Sequence, residues 1–331
     1  TGSGPGSGLG ASTRVGAAVT AAATESTLFS SYKQITSKEQ LDLFVQKFLV
    51  NSEDYEWPDI YHYTMALPES YYGNGSYDKW FRVGCTLKNH HPDLFIVWFA
   101  FSSQAPTFDW THSGEELLEK WNNMNHKDRL TIRSIKFWCK QENPTRYQEI
   151  YEDSADQMIE QSLNKMDGLK GIKGYSHSDV AQIMYRLYKD EFVCASVKSG
   201  EWYRFVENRW RKTENGTELR QIISGDLRAI YGRKHNRLED YILELQRAGE
   251  ENEKKINSML SRLEKVIDIE FKLGDSNMKA HLMKEAREIF YNPLFRDKLD
   301  TNRDVLCVKN GVLDVKQGVC RRGNPEDYMS L

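Results

Sequence analysis

Long apolar runs, paired cysteines and an excess of positive charge are all missing from this chain of 331 residues. The longest apolar run is Leu94–Phe101, eight residues, against the ~20 that a membrane-spanning helix needs, so no membrane partner is expected. The five cysteines, Cys85, Cys139, Cys194, Cys307 and Cys320, form no CxxC pair. An odd, scattered set argues against a disulfide framework and against secretion. The formal net charge is −3, so any nucleic-acid contact has to come from local clusters rather than a global field. Gly-Lys followed by Ser or Thr, the end of a phosphate-cradling GxxxxGK[ST] loop, occurs nowhere, and no internal repeat is visible. What is present is aromatic: 8 Trp, 17 Tyr and 14 Phe within 39% hydrophobic residues. That suffices to bury cores and excludes wholesale disorder. At about 150 residues per domain, the length predicts two.

Residues 1–25 are expected to be a disordered linker. Thr1–Gly10 reads TGSGPGSGLG, a flexible leader of the kind left by cloning, and Ala11–Thr24 is small and polar. A short helix over Val15–Ala23 is the alternative. Such a leader suggests a piece cut from a longer protein.

Residues 26–147 read as a helical domain. Ser37 with Gln40 is a capping-box signature before the helical spacing of Leu41, Phe44, Phe48 and Leu49. Val50–Tyr72, rich in Asp, Glu, Pro and Tyr, reads as loop or short irregular helix. Ser76 precedes Trp80, Val83, Gly84 and Leu87, one helical stripe. Leu94–Phe101 is a buried strand or a buried helix, which length alone does not decide. Ser113 with Glu116 is a second capping box, and Thr131 opens a helix that Asn143-Pro144 ends.

Residues 148–175 read as a linker. Glu149–Gln161 is acidic, a linker or linking helix, and Gly168, Gly171 and Gly174 follow. Residues 176–331 then alternate. Ser176–Lys189 is helical. Phe192–Val197, Glu201–Val206 and Arg209–Lys212 form a three-stranded meander. Thr217–Ile230 is helical, and Leu238–Ile267 is a long helix or hairpin with a break at Ala248-Gly249. Ser276 caps another helix, and Val305–Val308, Val312–Val315 and Val319–Arg321 are strand-like around Asn310-Gly311 and Gln317-Gly318. The fold class is mainly α with small antiparallel β meanders (α+β), a helical domain followed by a mixed helical/β domain.

Two stretches carry a resemblance. Tyr77–Asn89 (YDKWFRVGCTLKN), then Trp98–Ser102, Phe108-Asp109, Lys120-Trp121 and Leu130–Ile135, resemble the primase C-terminal domain found beside archaeo-eukaryotic primase domains. Val180–Phe192, Trp202–Phe205, Trp210-Arg211, Asn310–Asp314 and above all Arg322–Leu331 (RGNPEDYMSL) resemble the domain preceding the helicase module in poxvirus-type and phage-type primase-helicases of helicase superfamily three. The resemblance implies a non-catalytic middle portion of a primase-helicase of a nucleocytoplasmic large DNA virus. In the complete protein it implies a hexameric ring, with the second region as a collar. No cofactor is expected in these residues, while ATP and Mg are expected for a downstream ATPase domain. The implied partners are single-stranded or forked DNA and other viral replication proteins, in the host cytoplasm or nucleus.

Residues that could carry chemistry are few. Gly168–Gly174 has glycines and lysines in the wrong order for a phosphate loop. Asp268-Ile269-Glu270 could pair carboxylates for metals but follows a helical run, so a solvated face is the reading. His90-His91 lacks any Cys or His at ligand spacing. Cys139 and Cys194 read as inert core thiols. The candidate nucleic-acid surface is the stretch Arg204–Arg237. It holds Arg204, Arg209, Arg211, Lys212, Arg220, Arg228, Arg233, Lys234 and Arg237 against Glu207, Glu214, Glu218 and Asp226, a local net of +5. Such clusters neutralise phosphates and release counterions, and Trp202 and Trp210 could stack on unpaired bases. The competing reading is a small β-core with a solvated charged face. The alternative function is a structural oligomerisation or docking module, with Leu238–Ile267 as its surface and no nucleic-acid contact. A metal-dependent nuclease has no ligand cluster behind it.

Overall fold

The computed structural model describes residues 32, 35–51, 56–124, 130–168, 175–249, 252–316 and 318–330. The linker expected at 1–25, and 169–174 within the second one, lie outside them. The chain divides into two compact units, Thr1–Ile150 and Tyr151–Leu331.

The first unit is helical: α1 (Lys38–Asn51), α2 (Trp57–Met65), α3 (Tyr77–His90), α4 (Phe95–Ser102), α5 (Ser113–Asn123), α6 (Ile132–Glu142) and the start of α7 (Pro144–Gly168). The run that length leaves ambiguous is α4, a helix buried on every side, from Phe95 to Ser102. Two turns of helix suffice because neighbours cover its whole circumference. Trp98 lies 4.6 Å from Trp80 of α3, its ring tilted by 30°, and 5.6 Å from Trp121 of α5. Gly84 is what lets α3 approach: a Cβ there would sit 2.7 Å from the Trp98 ring. Part of the region read as loop or short irregular helix is α2. Pro58 sits in its first turn, where its missing N–H costs nothing.

The capping expectations hold unevenly. Thr131 and Ser134 form a reciprocal capping box on α6. At α1, Gln40 N–H donates to Ser37 Oγ at 3.3 Å, while the Gln40 amide oxygen accepts from Thr36 rather than Ser37. Ser113 lies inside α5, and its hydroxyl accepts from Asp109 N–H.

In the second unit α8 (His177–Tyr188) precedes a meander of β1 (Phe192–Ser196), β2 (Glu201–Val206) and β3 (Arg209–Thr213). Its antiparallel order is β1-β2-β3, with Phe192 opposite Arg204 and Phe205 opposite Trp210. A helical rod follows: α9 (Thr217–Ile222), a π turn at Ile223–Leu227, and α10 (Arg228–Arg247). After the break at 248–249 the chain returns as α11 (Glu253–Lys272), packed along α10, then α12 (Ser276–Ile289) and α13 (Phe295–Lys298). The helix expected to start from a Ser276 cap is capped instead by Asp275, whose carboxylate accepts from Asn277 N–H. A second meander follows, β4 (Val305–Val308), β5 (Gly311–Asp314) and β6 (Val319–Arg321). Gly311 is required there, because a Cβ would lie 2.4 Å from the Arg321 carbonyl.

The stretch read as a linker or linking helix is largely α7. Ala155, Met158, Ile159, Leu163 and Met166 on it are buried in the second unit's core beside Val180, Met184, Leu238, Ile242, Leu263 and Val266. Its acidic composition suggests solvent exposure on all sides. The apolar spacing 155, 158/159, 163 and 166 is that of one buried helical face.

Candidate nucleic-acid interface

The eleven residues expected to contact nucleic acid divide by what they touch. Trp202 on β2 is fully buried and edge-on to Phe290, 5.5 Å between centroids. Trp210 on β3 is 4% exposed, packs edge-on against Phe295, and donates from Nε1 to the Pro325 carbonyl at 2.8 Å. Neither presents a free face to a base, so the stacking role assigned to them is corrected. In a small sheet, alternation turns the largest apolar side chains inward.

The signature tail explains the position of Trp210. Asn324 and Asp327 cap a short turn at Pro325–Asp327. Asp327, fully buried, receives both Arg321 guanidinium nitrogens at 2.7 and 2.8 Å. Gly323 N–H donates to Asn208 Oδ1 at 2.9 Å, and a Cβ on Gly323 would lie 2.4 Å from the Asn208 carbonyl. Trp210 N–H donates to the Met329 carbonyl. The most family-like word in the chain is therefore a clip that fastens the last residues to the β2–β3 hairpin.

Of the nine cations, six are held by carboxylates. Arg204 pairs with Glu191 and Glu218 and lies over the Phe192 ring. Arg211 pairs with Glu207, and Lys212 with Glu201 at 3.2 Å. On α10, Arg233 meets Glu152 at 3.6 Å, Lys234 meets Asp156 and Glu160, and Arg237 meets Asp153 and Asp156. Lys234 is only 5% exposed. Its assignment as a phosphate contact is corrected, since two carboxylates already occupy it. Arg220 donates to the Ser276 carbonyl at 3.4 Å. Arg209 and Arg228 have no ion pair among the described residues.

The carboxylates on α10's cations come from α7, the stretch that reads as a linker. The same stripe continues onto α11. Arg262 reaches Glu160, Asn164 and Asp167 at 3.0, 2.7 and 2.8 Å, and Lys265 reaches Asp167 at 2.8 Å. Burial opposes the charge on Asp167, but Lys265 and Arg262 outweigh it and hold its carboxyl below the usual range. The local +5 counted along the sequence is thus mostly neutralised in space.

The remaining candidates are structural. Asp268 pairs with Lys272 and Glu270 with His235, so the two carboxylates do not converge. His91 caps the turn at Pro92–Leu94 by accepting from Asp93 N–H. Among the described residues no group of three His, Cys, Asp or Glu could hold a metal ion. Burial pushes the Cys139 thiol up to about 11 and raises that of Cys194, which suits unreactive core positions. No described helix is long and apolar enough to cross a membrane. The first unit carries a shallow groove of about 300 Å³ between α3 and α5, lined by Tyr77, Trp80, Phe108 and Lys120. Its aromatic content is visible in the sequence, but its concavity is not.

The domain classes follow from matches to known families. Residues 61–139 match the family described as primase C terminal 2 (PriCT-2), and residues 181–331 match that described as D5 N terminal like. The two matches fall in that order along the chain, and the similar proteins include ones named putative helicases and putative primases of large DNA viruses. A "putative helicase" of Acanthamoeba polyphaga mimivirus is 30% identical over 256 residues, 77% of this chain and 25% of the relative. A "putative helicase" of Frog virus 3 is 26% identical, covering 76% and 27%. A "putative primase" of African swine fever virus (isolate Pig/Kenya/KEN-50/1950) is 27% identical, covering 76% and 26%. The chain spans about a quarter of the length of these relatives.

Proposed function

We propose that these residues form a non-catalytic middle portion of a primase-helicase, positioning single-stranded DNA and the primase relative to a ring ATPase that lies outside the 331 residues. The observation that carries this reading is the succession of a primase C terminal 2 match and a D5 N terminal like match in one chain. The missing GxxxxGK[ST] loop supports it, because phosphate cradling needs those backbone N–H groups. ATP, Mg and the assembled ring belong, in this reading, to the complete protein, working with other viral replication proteins in the host cytoplasm or nucleus. Two measurements test it. A colorimetric phosphate-release assay with single-stranded DNA present is expected to show no turnover above background. Fluorescence anisotropy with labelled single-stranded DNA is expected to show binding that weakens with salt. Turnover by the pure chain, or no binding at low salt, overturns the reading.

One observation favours the alternative, a structural oligomerisation module without nucleic-acid contact. On α11, Leu260, Ile267 and Phe271 are 39%, 40% and 74% exposed, a line of apolar side chains beside the buried stripe. Light scattering separates the two readings. Self-association abolished by Phe271→Glu, together with no DNA binding by either protein, supports the alternative.

A further inference from the structure

We propose that the first unit holds a single-stranded DNA contact face, formed by cations of α3 and α6 seated on aromatic rings. The proposal rests on the reading of the chain as a DNA-positioning part. It places the contact where the sequence does not: on the first unit rather than on Arg204–Arg237.

Four cations are held over rings. Lys79 Nζ lies 4.6 Å from the centroid of Tyr71, and the Arg82 guanidinium 5.4 Å from that of Trp138. Lys136 lies 5.9 Å over Tyr63, and Lys140 5.4 Å over Tyr147. The rings fall into two touching pairs, Tyr71 with Trp138 at 6.0 Å and Tyr63 with Tyr147 at 5.2 Å. Helix α6 joins the pairs by carrying Lys136, Trp138 and Lys140, and it packs against both α2 and α3. Its buried stripe is Ile132, Ile135 and Cys139. Lys136 and Lys140 follow that stripe one residue on, about 6 Å apart along the axis, so the cations stand at its edge.

A ring and a carboxylate hold a cation with opposite consequences. The carboxylate cancels the charge. A ring attracts through its quadrupole and leaves the formal charge whole. A cation fixed over a ring therefore still attracts a phosphate, and it loses less side-chain freedom on binding than a free lysine does. Lys79, Arg82 and Lys140 are exposed and have no ion pair among the described residues. Residues 132–147 carry Arg133, Lys136, Lys140 and Arg146 against Glu142 alone. Two carboxylates near the face have partners. Glu142 accepts from the Tyr71 hydroxyl at 3.5 Å, and Glu149 holds Arg146 at 2.7 Å. Four cations of the second unit also lie over rings, but Arg204 and Lys272 are paired with carboxylates as well, and Lys255 and Lys298 stand singly on separate elements. A polyanion matches the grouped cations by charge, and relatives named for priming and unwinding make single-stranded DNA the occupant.

The test is anisotropy with a fluorescein-labelled oligothymidine and the full chain, at about 50 and 200 mM salt. Arg82→Ala/Lys140→Ala is expected to bind about tenfold more weakly at the lower salt. The slope of log affinity against log salt is expected to fall by about 1.4, roughly 0.7 for each phosphate no longer neutralised. Lys79→Gln/Lys140→Gln, at exposed positions only, should weaken binding similarly, while Lys140→Arg should bind within about twofold of the parent. Arg209→Ala/Arg228→Ala should also leave affinity within about twofold. If the parent binds and both α3/α6 variants bind equally well, this face is wrong and the DNA-positioning reading stands. If the parent does not bind at 50 mM salt, the reading itself fails and the face with it.

Discussion

The two units hold their grouped cations in different ways. In the second, Arg233, Lys234, Arg237, Arg262 and Lys265 face the acidic stripe of α7. In the first, Lys79, Arg82, Lys136 and Lys140 lie on ring faces. Both arrangements fix long side chains, but only the carboxylates neutralise them. Counting charges along a sequence does not distinguish the two, because the partner that decides is remote: Asp156 and Lys234 are 78 residues apart.

The largest effect that tests this contrast is Lys234→Ala. Removing the buried cation shared by Asp156 and Glu160 leaves them only the more exposed Arg237 and Arg262, at a cost of about 3 kcal/mol, readable as a lower urea midpoint. Lys140→Ala, its counterpart in the first unit, should cost at most about 1 kcal/mol. Equal losses would erase the distinction between the units. Next comes Trp210→Phe, which keeps an aromatic ring but removes the Nε1–Pro325 hydrogen bond, about 1 kcal/mol. Single-stranded DNA affinity should not change. A drop in affinity without a drop in stability would return Trp210 to the binding surface. The smallest effect is a pH dependence. Burial opposes the charge on His235, but hydrogen bonds with Glu270 and Glu239 outweigh it and raise its pKa. Its stabilisation is therefore complete below the unfolded value of about 6.5 and is lost as pH rises through the higher folded value. Melting temperatures between pH 6 and 8.5 should fall more steeply for the parent than for His235→Gln.

The helices with clean spacing and the two meanders are legible from residue pattern alone, as is the break at Ala248-Gly249. There the local signals and the packed structure agree. Three elements are only partly legible. The helix α2 reads as loop or short irregular helix, because Pro58 and Asp59 read as breakers but serve in a first turn. The type of α4 is hidden because a segment buried all round has no periodicity. The acidic α7 reads as a linker or linking helix because its charged residues are as many as its apolar ones, although the buried apolar residues share one face. The charge of the candidate site is misjudged for a related reason. The cations of Arg204–Arg237 are balanced in the sequence only against acids close along the chain, while the acids that neutralise those of α10 sit on α7.

The burial of α4 on every side also bears on how this chain is made. Its apolar residues leave the ribosome before α5 and Trp121, which close over Phe95 and Trp98. About twenty more residues must be added first, roughly 1–4 s at about 5–20 residues per second. Through that interval the nascent chain displays a sticky segment with nothing to cover it. A holding chaperone would find its substrate there, and a ribosome pausing between Ser102 and Asn123 would lengthen the window for aggregation.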